Sequence, residues 1–144
     1  MTGANLNILL KHLKEHEGFR ATGYKDHLGH LTIGYGRRID GDKGITQHEA
    51  ETLLVSDVNE AGNQLGSMVT LPESMDEVRH AALIAMVFQL GIGTFLKFKK
   101  MIAAVEAGDW ERAADEALNS RWETQTPRRA HEVADILRTG RWPS

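Results

Sequence analysis

Cysteine is absent from the 144 residues. That removes disulfides, thiol nucleophiles and cysteine-ligated metals together, and it suits maturation in a reducing cytoplasm. Long apolar runs are also missing. The longest lies around Ala81 to Val87, far below the roughly 20 residues that span a bilayer, so no stable membrane insertion is expected. The N-terminal stretch MTGANLNILLKHLKEHEG has neither a basic leader nor a long apolar centre, and no signal peptide is expected from it. Internal repeats, low-complexity tracts and flexible linkers are lacking as well. So is any large positive charge: a net charge of −3 argues against a nucleic-acid binder.

The charge is unevenly spread. Residues 1–93 carry eight Lys/Arg against twelve Asp/Glu, and residues 94–144 carry nine against eight. A mildly basic second half can face an anionic polymer, or it can simply be a solvated helical surface. A chain of this length buries roughly 70% of its unfolded surface and needs no staples. It is one ordinary domain, or two small lobes sharing a core.

Leu6, Leu9, Leu10 and Leu13 fall at helical spacing, with Gly18 as a C-cap. The run YKDHLGHLTIGY from Tyr24 to Tyr35 is short, β-branched and aromatic around a central Gly, and predicts a β-hairpin. GRRIDGDKG follows as a loop or a ragged third strand. Everything beyond reads as helix. Thr46 with Glu49, and Ser74 with Glu77, have capping-box spacing. The helix from about Asp76 to Leu90 is apolar nearly all round in its second half, which belongs at the centre of a bundle. Phe95, Phe98, Ile102 and Val105 predict a further helix ending at Gly108. Asp109 would cap the helix carrying Trp110, Ala113, Ala114 and Leu118. Thr126-Pro127 would start a last helix reaching about Arg138. The expected fold is α+β: a small N-terminal β-hairpin lobe over about 15–45, and a larger helical lobe over about 46–144 plus the first helix. A cleft between the lobes would hold the ligand.

Among candidate chemical groups, Glu17 lies four residues after Leu13 and so shares the apolar face of the first helix. It also lies at the negative end of the helix dipole. Desolvation and that dipole both favour the protonated carboxyl that a general acid needs. The alternative is a surface Glu at a fraying helix end. Asp26, in the first strand of the hairpin, can be turned toward the end of that helix. Two carboxyl groups across a cleft are the basic equipment of a glycosidase. Thr32, in the second strand, could hold a water by its hydroxyl. Taken singly, Asp26 reads equally as a turn residue and Thr32 as a β-former.

As a pattern, Glu17, eight residues, Asp26, five residues, Thr32 resembles the catalytic signature of the T-even phage lysozyme family, glycoside hydrolase family 24. EGFRATGYKDHLGHLTIGYG resembles its active-site hairpin, and ITQHEAETLL, ALIAMVFQLG and SRWETQTPRRAHEVADILRTGRW continue the likeness along nearly the whole chain. The resemblance implies a muramidase that hydrolyses the β-1,4 bond between N-acetylmuramic acid and N-acetylglucosamine in bacterial peptidoglycan. Glu17 would protonate the leaving oxygen. Asp26 and Thr32 would position or activate water on the opposite face, with inversion. No metal or organic cofactor is implied. Arg129 matches the arginine that pairs with the catalytic glutamate, a pairing that opposes the effect of desolvation on Glu17. Phe88 and Gln89 match cleft-lining positions, with plain core as the alternative for Phe88, and Glu116 aligns with a sugar-contacting position. The chain departs from the family in a shorter stretch between Gly36 and Thr46. It also departs at Arg37 and Arg38, where histidine and leucine stand in the T-even prototype. Arg38 could contact muramic carboxylates or stem peptides.

Three other readings compete. His12-Leu13-Lys14-Glu15-His16 fits the H-x-x-E-H pattern of inverted zinc peptidases, but a third ligand is not identifiable. A lytic transglycosylase would use the same acid without external water, and commonly lacks the aspartate that Asp26 supplies. A wall-binding module without activity would be expected to have lost Glu17 or Asp26. His27 and His30 read as exposed polar residues beside a turn. The expectation is a monomeric muramidase for host lysis. It would accumulate in the host cytoplasm, reach the periplasmic wall through a separate holin, and have no nucleic-acid partner.

Overall fold

The computed structural model describes residues 3–18, 20–25, 31–34, 37–38 and 45–143, the strand segments by their backbone. The first helix, α1 (Gly3–Glu17), buries Leu9 and Leu13 and leaves Leu6 and Leu10 partly covered. Gly18 closes it with φ +68°, and its N–H donates to the Lys14 carbonyl at 2.8 Å. Positive φ at this position is cheap only for glycine.

Three strands follow: β1 (Arg20–Lys25), β2 (Leu31–Gly34) and β3 (Arg37–Arg38). They pair antiparallel in the order β1-β2-β3. Tyr24 stands opposite Thr32, and Thr32 opposite Arg38, while the register shifts between Arg20 and Tyr24. The predicted hairpin pairing is present, and it begins earlier than Tyr24.

The expected α+β architecture nevertheless needs correction. The described core is built by helices alone: apart from Val69, which caps one, every buried hydrophobic side chain described sits within a helix. The strands are only six, four and two residues long. Strands of this length, with sequences RATGYK, LTIG and RR, are too short to enclose a core of their own. The fold is therefore a helical domain of lysozyme type to which a short three-stranded ribbon is attached, with β2 and β3 approaching the second helix.

That helix, α2 (Gln47–Met68), starts with the predicted capping box. Thr46 Oγ1 accepts from the Glu49 N–H at 3.1 Å, and the Glu49 carboxylate accepts from the Thr46 N–H at 3.5 Å. The next helix, α3 (Glu77–Leu90), is central, as its apolar circumference predicts. Ala81, Ala82, Leu83, Ile84, Met86 and Val87 are all buried, and α1, α2 and the last helix pack on it. Each large side chain buried there contributes roughly 1.5–3 kcal/mol.

The α3 cap differs from the Ser74 expectation. Asp76 is the N-cap, its carboxylate accepting from the Arg79 N–H at 2.9 Å and from Arg79 Nη1 at 3.0 Å. A carboxylate two residues nearer the helix makes a charge-assisted cap at the positive end of the dipole, which a serine hydroxyl cannot match.

The helix predicted from Phe95 to Val105 is two: α4 (Ile92–Phe95) and α5 (Lys99–Glu106). Phe98 breaks them with ψ +57° and turns its ring edge-on to Trp122, 6.2 Å between centroids. Asp109 caps α6 (Trp110–Leu118) as expected, accepting from the Arg112 N–H at 3.2 Å. A short helix not foreseen, α7 (Arg121–Gln125), precedes α8 (Pro127–Thr139). Thr126 holds the N-cap position of α8, but its hydroxyl donates back to the Trp122 carbonyl at 3.2 Å and does not cap. Arg79 ties α3 to the end of α8 by donating to the Leu137 and Arg138 carbonyls, with its guanidinium 5.0 Å over the Trp110 ring.

Candidate active site

Because α1 stops at Gly18, Glu17 is its last helical residue, one turn beyond buried Leu13. Its carboxylate is 15% exposed and lies 3.4 Å from the guanidinium of Arg129, itself 18% exposed. Arg129 comes from the first turn of α8, which Pro127 opens with its fixed φ. The same Nη2 donates to the His16 carbonyl at 3.1 Å. One guanidinium thus meets both the carboxylate and a carbonyl that α1 leaves without an intrahelical donor. A cation there also faces the negative end of the α1 dipole.

Behind this pair sits a second polar group. Glu132, one turn along α8 from Arg129, takes His16 Nε2 on one oxygen at 2.5 Å and His12 Nδ1 on the other at 3.0 Å. His12 stacks on Trp142, centroids 5.3 Å apart and planes 11° from parallel. The indole N–H of Trp142 donates to Asn5 Oδ1 at 3.1 Å. The two histidines of the H-x-x-E-H pattern therefore both bind Glu132, while Glu15 of the same pattern is exposed. Among the described residues, no group of three His, Cys, Asp or Glu is arranged to hold a metal ion.

Gln89, near the C-terminus of α3, borders a small cavity of about 30 Å³ together with Leu13, His16, Arg129 and Glu132. Its Oε1 is buried and has no hydrogen-bond partner among the described residues. Phe88 beside it is half-buried and packs on the core.

Glu116 lies elsewhere. It borders a separate cleft of about 640 Å³ floored by Phe98 and Trp122 and edged by Lys97, Lys99, Lys100 and Arg121. None of Glu17, Gln89 and Arg129 lines that cleft. Thr32 and Arg38 are neighbours across β2 and β3 by register. Asp26, His27 and His30 lie outside the described residues, as do the side chains of Thr32, Arg37 and Arg38. The structure thus pairs Glu17 with Arg129, and sets Arg129 and Gln89 on one small cavity. It adds Glu132, which sequence reasoning did not single out; the only hint was its spacing, three residues after Arg129.

A half-buried carboxyl at a helix end, held by one arginine, can donate a proton from a fixed position to a bond presented beside it. A family model for phage lysozymes matches residues 14–138. The chain is 33% identical over 156 aligned residues to probable T4-type lysozyme 1 of Dictyostelium discoideum, covering 89% of this chain and 92% of that protein. It is also 33% identical over 155 residues to the pre-baseplate central spike protein Gp5 of Enterobacteria phage T4, covering 89% of this chain but 27% of the spike protein. The endolysin of Salmonella phage P22 is 28% identical over 113 residues, covering 74% of this chain and 75% of that protein. The chain belongs to the phage lysozyme family of peptidoglycan hydrolases.

Proposed function

We propose that the chain is a muramidase that cuts the β-1,4 bond between N-acetylmuramic acid and N-acetylglucosamine, with Glu17 as its general acid. The observation that carries this reading is the half-buried Glu17 carboxyl at the end of α1, gripped by Arg129. Glu17 gives its proton to the glycosidic oxygen as the bond to the anomeric carbon breaks. Water attacks that carbon from the opposite face. Asp26 takes the proton of this water, and Thr32 helps to orient it, so the product is an inverted hemiacetal with a free reducing end. The chemistry asks for two carboxyl groups and a water. The lysines and arginine around Glu116 give the helical body a positive wall suited to an anionic wall polymer. Relatives bearing the name endolysin support a role in host lysis.

Mass spectrometry of fragments released from purified sacculi tests this directly. Reducing-end muramic acid is expected from the wild-type chain, and no release from Glu17→Gln. Anhydro-muramic ends would make the enzyme a transglycosylase and leave Asp26 and Thr32 without the assigned role. Near-normal release by Glu17→Gln would remove Glu17 as the acid.

A further inference from the structure

We propose that Glu132 is a positioning residue for the reaction, acting through His16 to fix where the Glu17 carboxyl points; this rests on Glu17 being the acid. Both α1 and α8 pack on α3, but they share little direct backbone contact. A cavity of about 30 Å³ separates them in part, lined from the α3 side by Ala82, Ala85 and Gln89, none of them charged. The last turn of α1 is therefore not wedged in place by side-chain packing alone. It is held against α8 by polar side chains.

Two of these ties converge on Glu132. One carboxylate takes His12 and His16, one turn apart on α1, on its two oxygens. The His16 imidazole is only 9% exposed and that carboxylate 20%, so solvent weakens neither contact much. Arg129, one turn earlier on α8, adds the third and fourth ties, to the His16 carbonyl and to Glu17. His16 is thus bound by its ring to Glu132 and by its carbonyl to Arg129, and Glu17 is the next residue. Releasing the imidazole lets the end of α1 rotate or slide, and the carboxyl moves with it. A displacement near 1 Å at a reacting group costs up to about a hundredfold in rate.

The test is steady-state hydrolysis of soluble peptidoglycan fragments, well below the melting temperature of every variant, with folding checked by circular dichroism. Glu132→Ala is expected to lower kcat about tenfold with KM within about twofold, since no ligand contact is removed. Wild-type kcat, or a loss carried by KM alone, overturns the proposal. If Glu132→Ala does not fold, His16→Gln and His16→Ala decide it. Glutamine returns an N–H donor near Nε2 and is expected to recover most of the kcat that alanine loses. Equal kcat in these two variants overturns the proposal. Glu17→Gln is run alongside. An inactive Glu17→Gln with a fully active Glu132→Ala sinks the positioning role alone, whereas an active Glu17→Gln sinks the acid assignment and the positioning role with it.

Discussion

Arg129 Nη2 lies 3.4 Å from Glu17 Oε1 and bonds the carbonyl of the preceding residue at 3.1 Å. Two contacts from one nitrogen make this cation both an electrostatic partner and a mechanical stop for the end of α1. Arg129→Ala removes a cationic partner from a half-buried carboxylate and a donor from a helix-end carbonyl. The expected outcome is a stability loss of about 2 kcal/mol together with a large fall in turnover. Arg129→Lys keeps the charge, but its compact ammonium sits on a stem of different length and does not reach the position of Nη2 between the two acceptors, so it should fall between the two. Urea denaturation and turnover on sacculi check both variants.

Asp26 is assigned to water activation by its place in the sequence pattern, nine residues after Glu17. Asp26→Asn removes the base and should abolish most turnover. Asp26→Glu and Asp26→Cys restore a group that can accept a proton, and should keep part of it. Full activity in Asp26→Asn, read as released reducing ends, would take Asp26 out of the mechanism.

The start of α3 separates two candidate caps. Asp76→Ala deletes a bond to the Arg79 N–H and an ion pair to its guanidinium, and should cost about 1–2 kcal/mol. Ser74→Ala should change stability by less than about 0.5 kcal/mol, as an ordinary surface change does. The reverse order in thermal melts would return the cap to Ser74.

His80, in the second turn of α3, has its pKa lowered from 6.5 because burial penalises the imidazolium, with Glu77 partly opposing. The unfolded chain then binds more protons than the folded one between the lowered value and 6.5. Stability should therefore be fully present above 6.5 and be lost as pH falls through that window. His80→Gln removes this proton uptake, so its melting temperature should drop less than that of the wild type between pH 7.5 and 5. Parallel melting curves would show that His80 makes no such contribution.

Much of this was legible locally. Thr46, Asp109 and Gly18 act as caps because a cap needs only a short polar side chain, or a glycine, beside a periodic apolar run. Ser74 misled because Asp76, two residues on, offers a charged acceptor to the same backbone. The break at Phe98 was hidden, since residues 95, 98, 102 and 105 keep helical spacing while the ring of Phe98 is drawn to Trp122. The short α7 carries too few residues for periodicity to register.

The sequence by itself determined the helical body and its central α3, because apolar spacing is a local property read against water. It also determined the candidate acid, because the Glu17–Asp26–Thr32 pattern and the motifs around it lie contiguous in the chain. The family resemblance names Arg129 as the partner of Glu17, and tertiary structure decided which other distant groups gather at the end of α1. Glu132 stands 116 residues from His16, and Arg129 stands 113 residues from the carbonyl it binds. No local spacing encodes such contacts; they exist only because α1 and α8 both dock on α3. The balance of the architecture was likewise settled in three dimensions. The strands pair as their composition suggests, yet the hydrophobic core among the described residues gathers on the helices.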